Sequence, residues 1–412
     1  MNILFVHQNF PGQFKHLAPE LVRRGHTVVA LALRAYNTHV WQGVSLVSYS
    51  VERRSSANIH PWLADFESKT IRGEACFRAA HRLQSEGFTP DVIIAHPAWG
   101  DSLFLKHIWP LTRLGTYGEY YYKLAGGDMN FDPEFGLRND ITEPCRLSLK
   151  NLNNHLHFNL SDAWISPTHW QASTFPENFR AKMQVIHDGI HTNIAKPNLL
   201  ATYQPLQNRP FTRNDEIITF INRNLEPYRG YHIFMRALPE LLKSRPNAHI
   251  LIVGGNGVSY GSKPKAGKSW KDIFIDEVRP KISDADWVRV HFLGNIPYQD
   301  YLSLLQVSTV HVYLTYPFVL SWSLLEAMSI GCAIVASNTQ PLHEVIQHNV
   351  TGRLVDFFDV AALTTEVINL LDQPDRREHL GRTARTFAKK HYDLETICLP
   401  QQVQWVERLA TL

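Results

Sequence analysis

Short apolar runs alternate with amphipathic stretches along nearly all of this chain, and the alternation pauses once and begins again. Ile3 to Val6 reads as a strand, followed by a turn at Pro11-Gly12 and a helical pattern with Phe14, Leu17, Ala18, Leu21 and Val22 on one face. Gly25 ends that helix, and Thr27 to Leu33 reads as a second buried strand. Further apolar runs lie at Val92–Ala95, Gly115–Tyr117 and Ala163–Ser166. Apolar strands separated by helices require a parallel sheet covered on both faces, an α/β arrangement. The stretch Lys196 to Pro210 has little apolar periodicity and predicts a linker. Beyond it, strands are predicted at Ile217–Ile221, His249–Val253, Val288–Phe292, Val310–Leu314 and Ala333–Ala336, with a helix over Tyr231–Ser244.

A chain of 412 residues is too long for one ordinary core. Two doubly wound domains are therefore expected, residues 1–195 and 196–385, facing each other across a cleft, with a helical segment 386–412 crossing back to the first. In such sheets ligands sit outside the carboxyl ends of the strands, so the cleft is the expected site.

With 44% hydrophobic and 19% charged residues the chain reads as globular rather than disordered. A net charge of +3 gives no reason to expect a nucleic-acid partner, and the basic excess within residues 1–60 reads first as a solvated helix face. Cys76, Cys145, Cys332 and Cys398 are scattered and form no C-x-x-C pair, which fits reduced thiols in a cytoplasmic protein. The opening M-N-I-L-F-V-H shows no leader pattern, and no apolar run approaches the roughly 20 residues of a membrane span. Membrane contact is expected to be peripheral at most, at the inner face. The oligomeric state is not legible.

Two stretches carry the chemistry. In L-T-Y-P-F-V-L-S-W-S-L-L-E-A-M-S-I-G-C-A-I-V-A-S, residues 314–337, a loop after a strand opens into a helix that Gly331 ends before a buried strand, and the free N–H groups at the helix start suit a phosphate. Glu326 within that helix needs donors; the vicinal hydroxyls of a ribose would supply two, and a role capping protein backbone is an equal alternative. In I-N-R-N-L-E-P-Y-R-G-Y-H-I-F-M-R-A-L, residues 221–238, Arg223 follows a strand and Arg229 precedes Gly230 and a helix, so the two flank a loop at a strand end. Two guanidinium groups so placed suit a diphosphate, whose growing charge in a transition state they would stabilise. The competing reading is surface arginines paired with Glu226.

These stretches, in this order, resemble the retaining family 4 glycosyltransferases of the GT-B architecture, whose two domains are Rossmann-like. The likeness runs over nearly the whole chain. H-Q-N-F-P-G-Q-F at 7–14 resembles the family's glycine-bearing first loop, V-I-H-D-G-I-H-T-N at 185–193 its passage between domains, and L-I-V-G-G at 251–255 and H-F-L-G-N-I-P at 291–297 its nucleotide-facing turns. The resemblance implies that Arg223 and Arg229 hold the donor diphosphate and assist catalysis, that Glu326 binds the nucleotide ribose, and that Gly12 and Gly254 let backbone approach the donor. It implies further that the turn at Asn295-Ile296 meets the base, and that Ser321, Ser323 and Leu324 belong to the donor site. No metal or other cofactor is implied, since arginines and helix ends neutralise the diphosphate.

Two positions depart from the family pattern. Phe318 stands where the first glutamate of E-x7-E is common, which leaves the grip on the transferred sugar to loop N–H groups or to Ser321 and Ser323. In the first domain Glu119 falls where a histidine is usual, and is expected to act as the catalytic or acceptor-orienting carboxylate, with a structural carboxylate bonded to the tyrosine-rich neighbourhood as the open alternative. His96 and Asp128 are further acceptor-binding candidates, although a core or turn histidine is the first reading of His96; His7 is a similarly placed histidine, and A-G-G-D-M-N-F-D-P-E-F at 125–135 is a candidate acceptor lid or a solvated turn. Asp284-x-Asp286 reads as a surface turn rather than a metal motif. His155 and His157, two apart, face different ways on a helix and cannot chelate one ion from one face. Asn349-Val350-Thr351 has the glycosylation spacing and is expected to be inert in a cytoplasmic chain.

The expected function is transfer of a hexosyl group, with retention, from a nucleotide-diphosphate sugar to an acceptor the sequence does not identify (a saccharide, a lipid or a small molecule). A UDP-sugar is the favoured donor. The alternatives are a binding protein on the same fold without transfer, or a phosphorylase or epimerase. A dinucleotide oxidoreductase fits least, because the first turn lacks G-x-G-x-x-G.

Overall fold

The computed structural model describes residues 1–136, 140–205, 209–264 and 267–411. The chain divides into two compact units. One comprises Met1–Asn130, Gly136–Gly189 and Leu394–Leu412, the other Phe131–Phe135 and Ile190–Asp393. The division falls at Gly189/Ile190 and Asp393/Leu394 rather than at 195/196 and 385/386. Within the stretch read as a linker, Thr202–Tyr203 forms a short hairpin with Phe211–Thr212, pinned by the buried rings of Tyr203 and Phe211. Residues 206–208 of that stretch lie outside the described residues.

The first unit is built on eight strands: β1 (Asn2–Val6), β2 (Thr27–Ala32), β3 (Val40–Trp41), β4 (Val44–Ser48), β5 (Val92–Ala95), β6 (Arg113–Tyr117), β7 (Ala163–Ser166) and β8 (Met183–Val185). Their order is β3-β4-β2-β1-β5-β6-β7-β8, and every pairing except β3 with β4 is parallel. Successive residues of β1 feed two separate clusters: Ile3 and Phe5 join one, Leu4 and Val6 the other. That is the two-faced burial an apolar, non-alternating strand demands. The first cluster is closed by the helix Leu399–Leu409, through Val403, Trp405, Val406 and Leu409. The strand order reverses between β1 and β5, so their carboxyl ends form a switch point.

The second unit holds the hairpin β9 (Thr202–Tyr203) and β10 (Phe211–Thr212) beside a six-stranded sheet. Its strands are β11 (Ile217–Asn224), β12 (His249–Gly255), β13 (Val290–Gly294), β14 (Val310–Tyr313), β15 (Ile334–Ser337) and β16 (Arg353–Val355). The order β13-β12-β11-β14-β15-β16 is parallel throughout, with the switch point between β11 and β14. The expected strand at Val288–Phe292 begins two residues later, because Ser283 caps a helical turn over Asp284–Trp287 and leaves Val288 at its exposed end. The helix Tyr231–Ser244 has the predicted bounds.

Candidate functional site

At the switch point of the second unit, the segments after β11 and β14 enclose a pocket of about 210 Å³. Arg223, Arg229, Ser321 and Ser323 line it together with Glu226 and Tyr260. Arg223 is exposed and makes no hydrogen bond or ion pair among the described residues. Arg229 is 5% exposed, yet its Nη1 meets only neutral acceptors, Thr315 Oγ1 at 2.7 Å and the Val319 carbonyl at 3.2 Å. Its guanidinium lies over the Tyr260 ring at 5.0 Å and the Phe318 ring at 6.0 Å. Among the described residues no carboxylate pairs with it. A desolvated cation without a counter-charge is costly, and an anion in the pocket would remove that cost.

The reading of Arg229 as a surface arginine paired with Glu226 is thereby corrected. Glu226 is buried and its carboxylate accepts backbone N–H groups of Ser259 at 3.1 Å, Tyr260 at 3.3 Å and Gly261 at 3.2 Å. It thus holds the loop after β12 against the pocket. Ser321 caps the helix Trp322–Ile330 by accepting from the Ser323 N–H, so the pocket faces a nine-residue helix N-terminus. Phe318 packs edge-on against Tyr228, with ring centroids 5.1 Å apart. An aromatic ring thus occupies the place where the family pattern has a carboxylate, with the Arg229 guanidinium 6.0 Å from its centroid.

Of the other donor-site candidates, Gly12 belongs to the first unit, and those of the second stand on the same carboxyl edge but do not line this pocket. Gly254 is the penultimate residue of β12, and Asn295-Ile296 follow β13 directly. Leu324 is in the core, so only its backbone is left for a ligand. Glu326 is half-buried, and two tyrosines donate to it: Tyr298 to Oε1 at 2.7 Å and Tyr301 to Oε2 at 2.8 Å. The donors that Glu326 required are thus present within the protein.

In the first unit, the carboxyl ends of β1, β5 and β6 bring together His7, Gln13, His96 and Glu119. His7 Nδ1 accepts from the Asn9 N–H at 3.0 Å, which leaves the proton on Nε2, 2.9 Å from Gln13 Oε1. Gln13 in turn donates to Glu119 Oε1 at 3.3 Å. His96 Nδ1 accepts from the Ala98 N–H, and its Nε2 lies 3.7 Å from Glu119 Oε2, beyond hydrogen-bond reach. Burial lowers the His7 pKa to about 4, against the opposing Gln13 bond, and pushes His96 well below the ordinary range. Both rings are therefore neutral near pH 7, and Glu119, about a third exposed, carries the charge of the group.

Gly12 has φ +46, and a Cβ there would come within 2.3 Å of His7 Nε2, so glycine is required for packing inside the cluster. His96 is fully buried and offers an acceptor no exposed surface, whereas Gln13 and Glu119 are partly exposed. Asp128 is also buried and accepts from the Tyr120 hydroxyl at 2.9 Å, so it belongs to a tyrosine cluster rather than to an open loop. The stretch 125–135 is not one lid, because Phe131–Phe135 belong to the second unit. There Asp132 accepts from Tyr316 at 2.6 Å and sits 3.0 Å from His232 Nε2.

Asp132, Glu134 and His232 are the residues, among those described, whose ligand atoms gather closely enough for an ion. Both oxygens of Glu134, however, already accept from Arg236, at 2.8 and 2.9 Å, which makes the group an ion-pair network. Asp284 and Asp286 are tied at the surface to Arg279 and Arg289. His155 and His157 part as expected: His155 meets the Tyr121 hydroxyl and His157, fully buried, meets Ser102 Oγ.

Sequence reasoning missed Glu226, Gln13, Tyr260, Tyr298 and Tyr301. Only Glu226 had a local signal, its position between Arg223 and Arg229.

Residues 24–195 match a family model described as Glycosyl transferase family 4 group, and residues 205–387 match Glycosyl transferases group 1. A GDP-mannose-dependent monoacylated alpha-(1-6)-phosphatidylinositol monomannoside mannosyltransferase of Corynebacterium glutamicum is 26% identical over 192 residues, 45% of this chain and 45% of that protein. A glycogen synthase of Mycobacterium tuberculosis is 27% identical over 218 residues, 53% of this chain and 46% of that protein. The chain thus spans about half the length of the curated relatives it matches. Among solved structures, sucrose-phosphate synthase from Thermosynechococcus elongatus is similar with a TM-score of 0.74 at 16% identity, covering 100% of both chains. HepE of Anabaena in complex with UDP and glucose gives 0.67 at 15% identity, again over 100% of both. The two sheets are Rossmann-like and the fold is shared end to end. Since a family model matches in each half, the chain belongs to the family 4 glycosyltransferases of the GT-B fold.

Proposed function

We propose that this chain is a retaining glycosyltransferase that moves a hexosyl group from a nucleotide-diphosphate sugar to an acceptor hydroxyl, without a metal ion. The observation that carries this reading is Arg229, a buried guanidinium with only neutral partners, opening with the partnerless Arg223 on one pocket beside a helix N-terminus. That arrangement fits a diphosphate. The acceptor oxygen bonds to the anomeric carbon as the bond from that carbon to the phosphate oxygen breaks. The acceptor's proton passes to the leaving phosphate, and the two arginines stabilise the charge that gathers there. Glu119, braced by Gln13, orients the acceptor or sugar hydroxyl.

UDP is the favoured nucleotide, supported by the solved structure of HepE with UDP and glucose. The relative named for GDP-mannose makes GDP-mannose the second donor to test. Phe318 in the loop favours one rival, a protein that holds the nucleotide-sugar without transfer. Nucleotide release measured with UDP- and GDP-sugars over a panel of saccharide, lipid and small-molecule acceptors separates the two. Release that depends on acceptor supports the transferase; tight binding with no transfer to any acceptor supports the rival.

A further inference from the structure

The second unit has another pocket, of about 550 Å³, at the opposite end of its sheet. Arg213 precedes β11, Ser308 and Thr309 precede β14, and Ala333 precedes β15; all four line it. It therefore opens at the amino ends of the strands whose carboxyl ends hold Arg223, Arg229 and Ser321. β11 alone has eight residues, which puts about 26 Å between the two ends. The two pockets are distinct sites.

Four guanidinium groups line this pocket, those of Arg213, Arg377, Arg382 and Arg385, against the single carboxylate of Glu378. Arg377 and Arg385 stand eight residues apart on the helix Pro374–Tyr392, with Gly381 midway between them on the same face. Gly381 has no room for a side chain: a Cβ would lie 2.1 Å from the Gly331 carbonyl oxygen. That close approach seats the helix against the end of Trp322–Ile330 and sets the two arginines at the pocket wall.

The partners of Arg213, Arg377 and Arg385 are neutral, and Arg382 pairs with a carboxylate. Arg377 Nη1 donates to the Leu370 and Leu371 carbonyls, both at 2.6 Å. Arg385 Nη1 donates to the Ser329 and Ala195 carbonyls. Arg213 has the Gln306 carbonyl at 3.3 Å, and Arg382 has Glu378 at 3.8 Å across an exposed pair. Burial pulls the pKa of both Arg377 and Arg385 down, and at Arg377 the carboxylates of Glu216 and Asp372 oppose that shift without cancelling it. Carbonyls occupy part of the Arg213, Arg377 and Arg385 guanidinium groups and leave N–H donors for a ligand.

We propose that this amino-edge pocket binds a small anion bearing two or more phosphate groups, at a site separate from the donor pocket. Planar guanidinium forks match phosphate oxygens, and four of them exceed what one phosphate needs. The volume lies within the range that encloses a small organic molecule and is larger than inorganic phosphate requires. The ligand's phosphates can come from a phosphorylated sugar or an inorganic oligophosphate, and two probes tell these apart.

The test is titration calorimetry of the full chain with tripolyphosphate and with fructose 1,6-bisphosphate. It compares wild type, the double variant Arg213→Ala/Arg382→Ala and the donor-pocket variant Arg223→Ala. The double variant removes two exposed rim arginines, of which Arg213 also donates to the Gln306 carbonyl in the last turn of the helix Tyr298–Val307, and unchanged UDP binding shows it to be folded. The expected result is saturable binding of at least one probe to wild type and to Arg223→Ala, weakened about tenfold or more in the double variant; which probe binds identifies the source of the phosphates. No saturable binding of either probe, equal affinity in the double variant, or binding lost only in Arg223→Ala would each overturn the proposal.

Discussion

Glu119 and Arg229 occupy opposite electrostatic situations. Glu119 is the accessible charged member of a cluster whose two histidines are held neutral by burial. Replacing it with Ala is expected to lower the transfer rate by about a hundredfold, within the usual span for a positioned acid-base group, and to leave UDP affinity unchanged. A kcat measurement beside a UDP titration checks both halves. Gln13→Ala, which removes the bridge between His7 and Glu119, is expected to lower kcat in the same direction by less. At this scale the sequence was a partial guide. The family spacing placed Arg223 and Arg229 together, and the fold brings them to one pocket. It was silent on Tyr298 and Tyr301, because nothing in local spacing shows that the helix Tyr298–Val307 will present two hydroxyls to Glu326.

Among the elements, those with strong apolar periodicity were legible and those stabilised by tertiary packing were not. Every residue of β5, β14 and β15 is buried, and their apolar runs stood out. The helix Ala64–Ser85 did not, since its buried face is mostly small (Gly73, Cys76, Ala79, Ala80) within a charged sequence. Nor did β3 and β10, two residues each, which depend on a partner strand. Two elements carry predictions. Glu226→Ala strips the acceptor from three backbone N–H groups of the 259–261 loop, which is expected to cost about 2 kcal/mol and to speed amide exchange there. Gly381→Ala forces the helix Pro374–Tyr392 away from the rigid Gly331 carbonyl and is expected to destabilise by about 2 kcal/mol or more, read as a fall in Tm.

For the molecule as a whole, two doubly wound sheets were readable because parallel strands buried on both faces write an unbroken apolar signal twice over. What long-range packing decides was not readable: the insertion of Phe131–Phe135 into the second unit, and the exact point at which the chain leaves and rejoins the first. The buried histidines give the fold a pH dependence. His7, His157 and His311 are each lowered by burial from 6.5 to about 4. Between those values the unfolded chain binds more protons than the folded one, so stability is retained above about pH 6.5 and lost as pH falls toward 4. Each such group contributes a loss of about 3 kcal/mol. Melting temperature measured from pH 7 to pH 4 is expected to fall steeply; a flat profile would show these rings to be solvated.

On the proposed function, Arg223 and Arg229 together bind the diphosphate of a sugar nucleotide at the carboxyl edge of the second sheet. Titration calorimetry of UDP against wild type, Arg223→Ala and Arg229→Ala tests it most directly. One saturable site in the wild type, weakened about tenfold or more in each variant, is the predicted result. Wild-type affinity in either variant would contradict it.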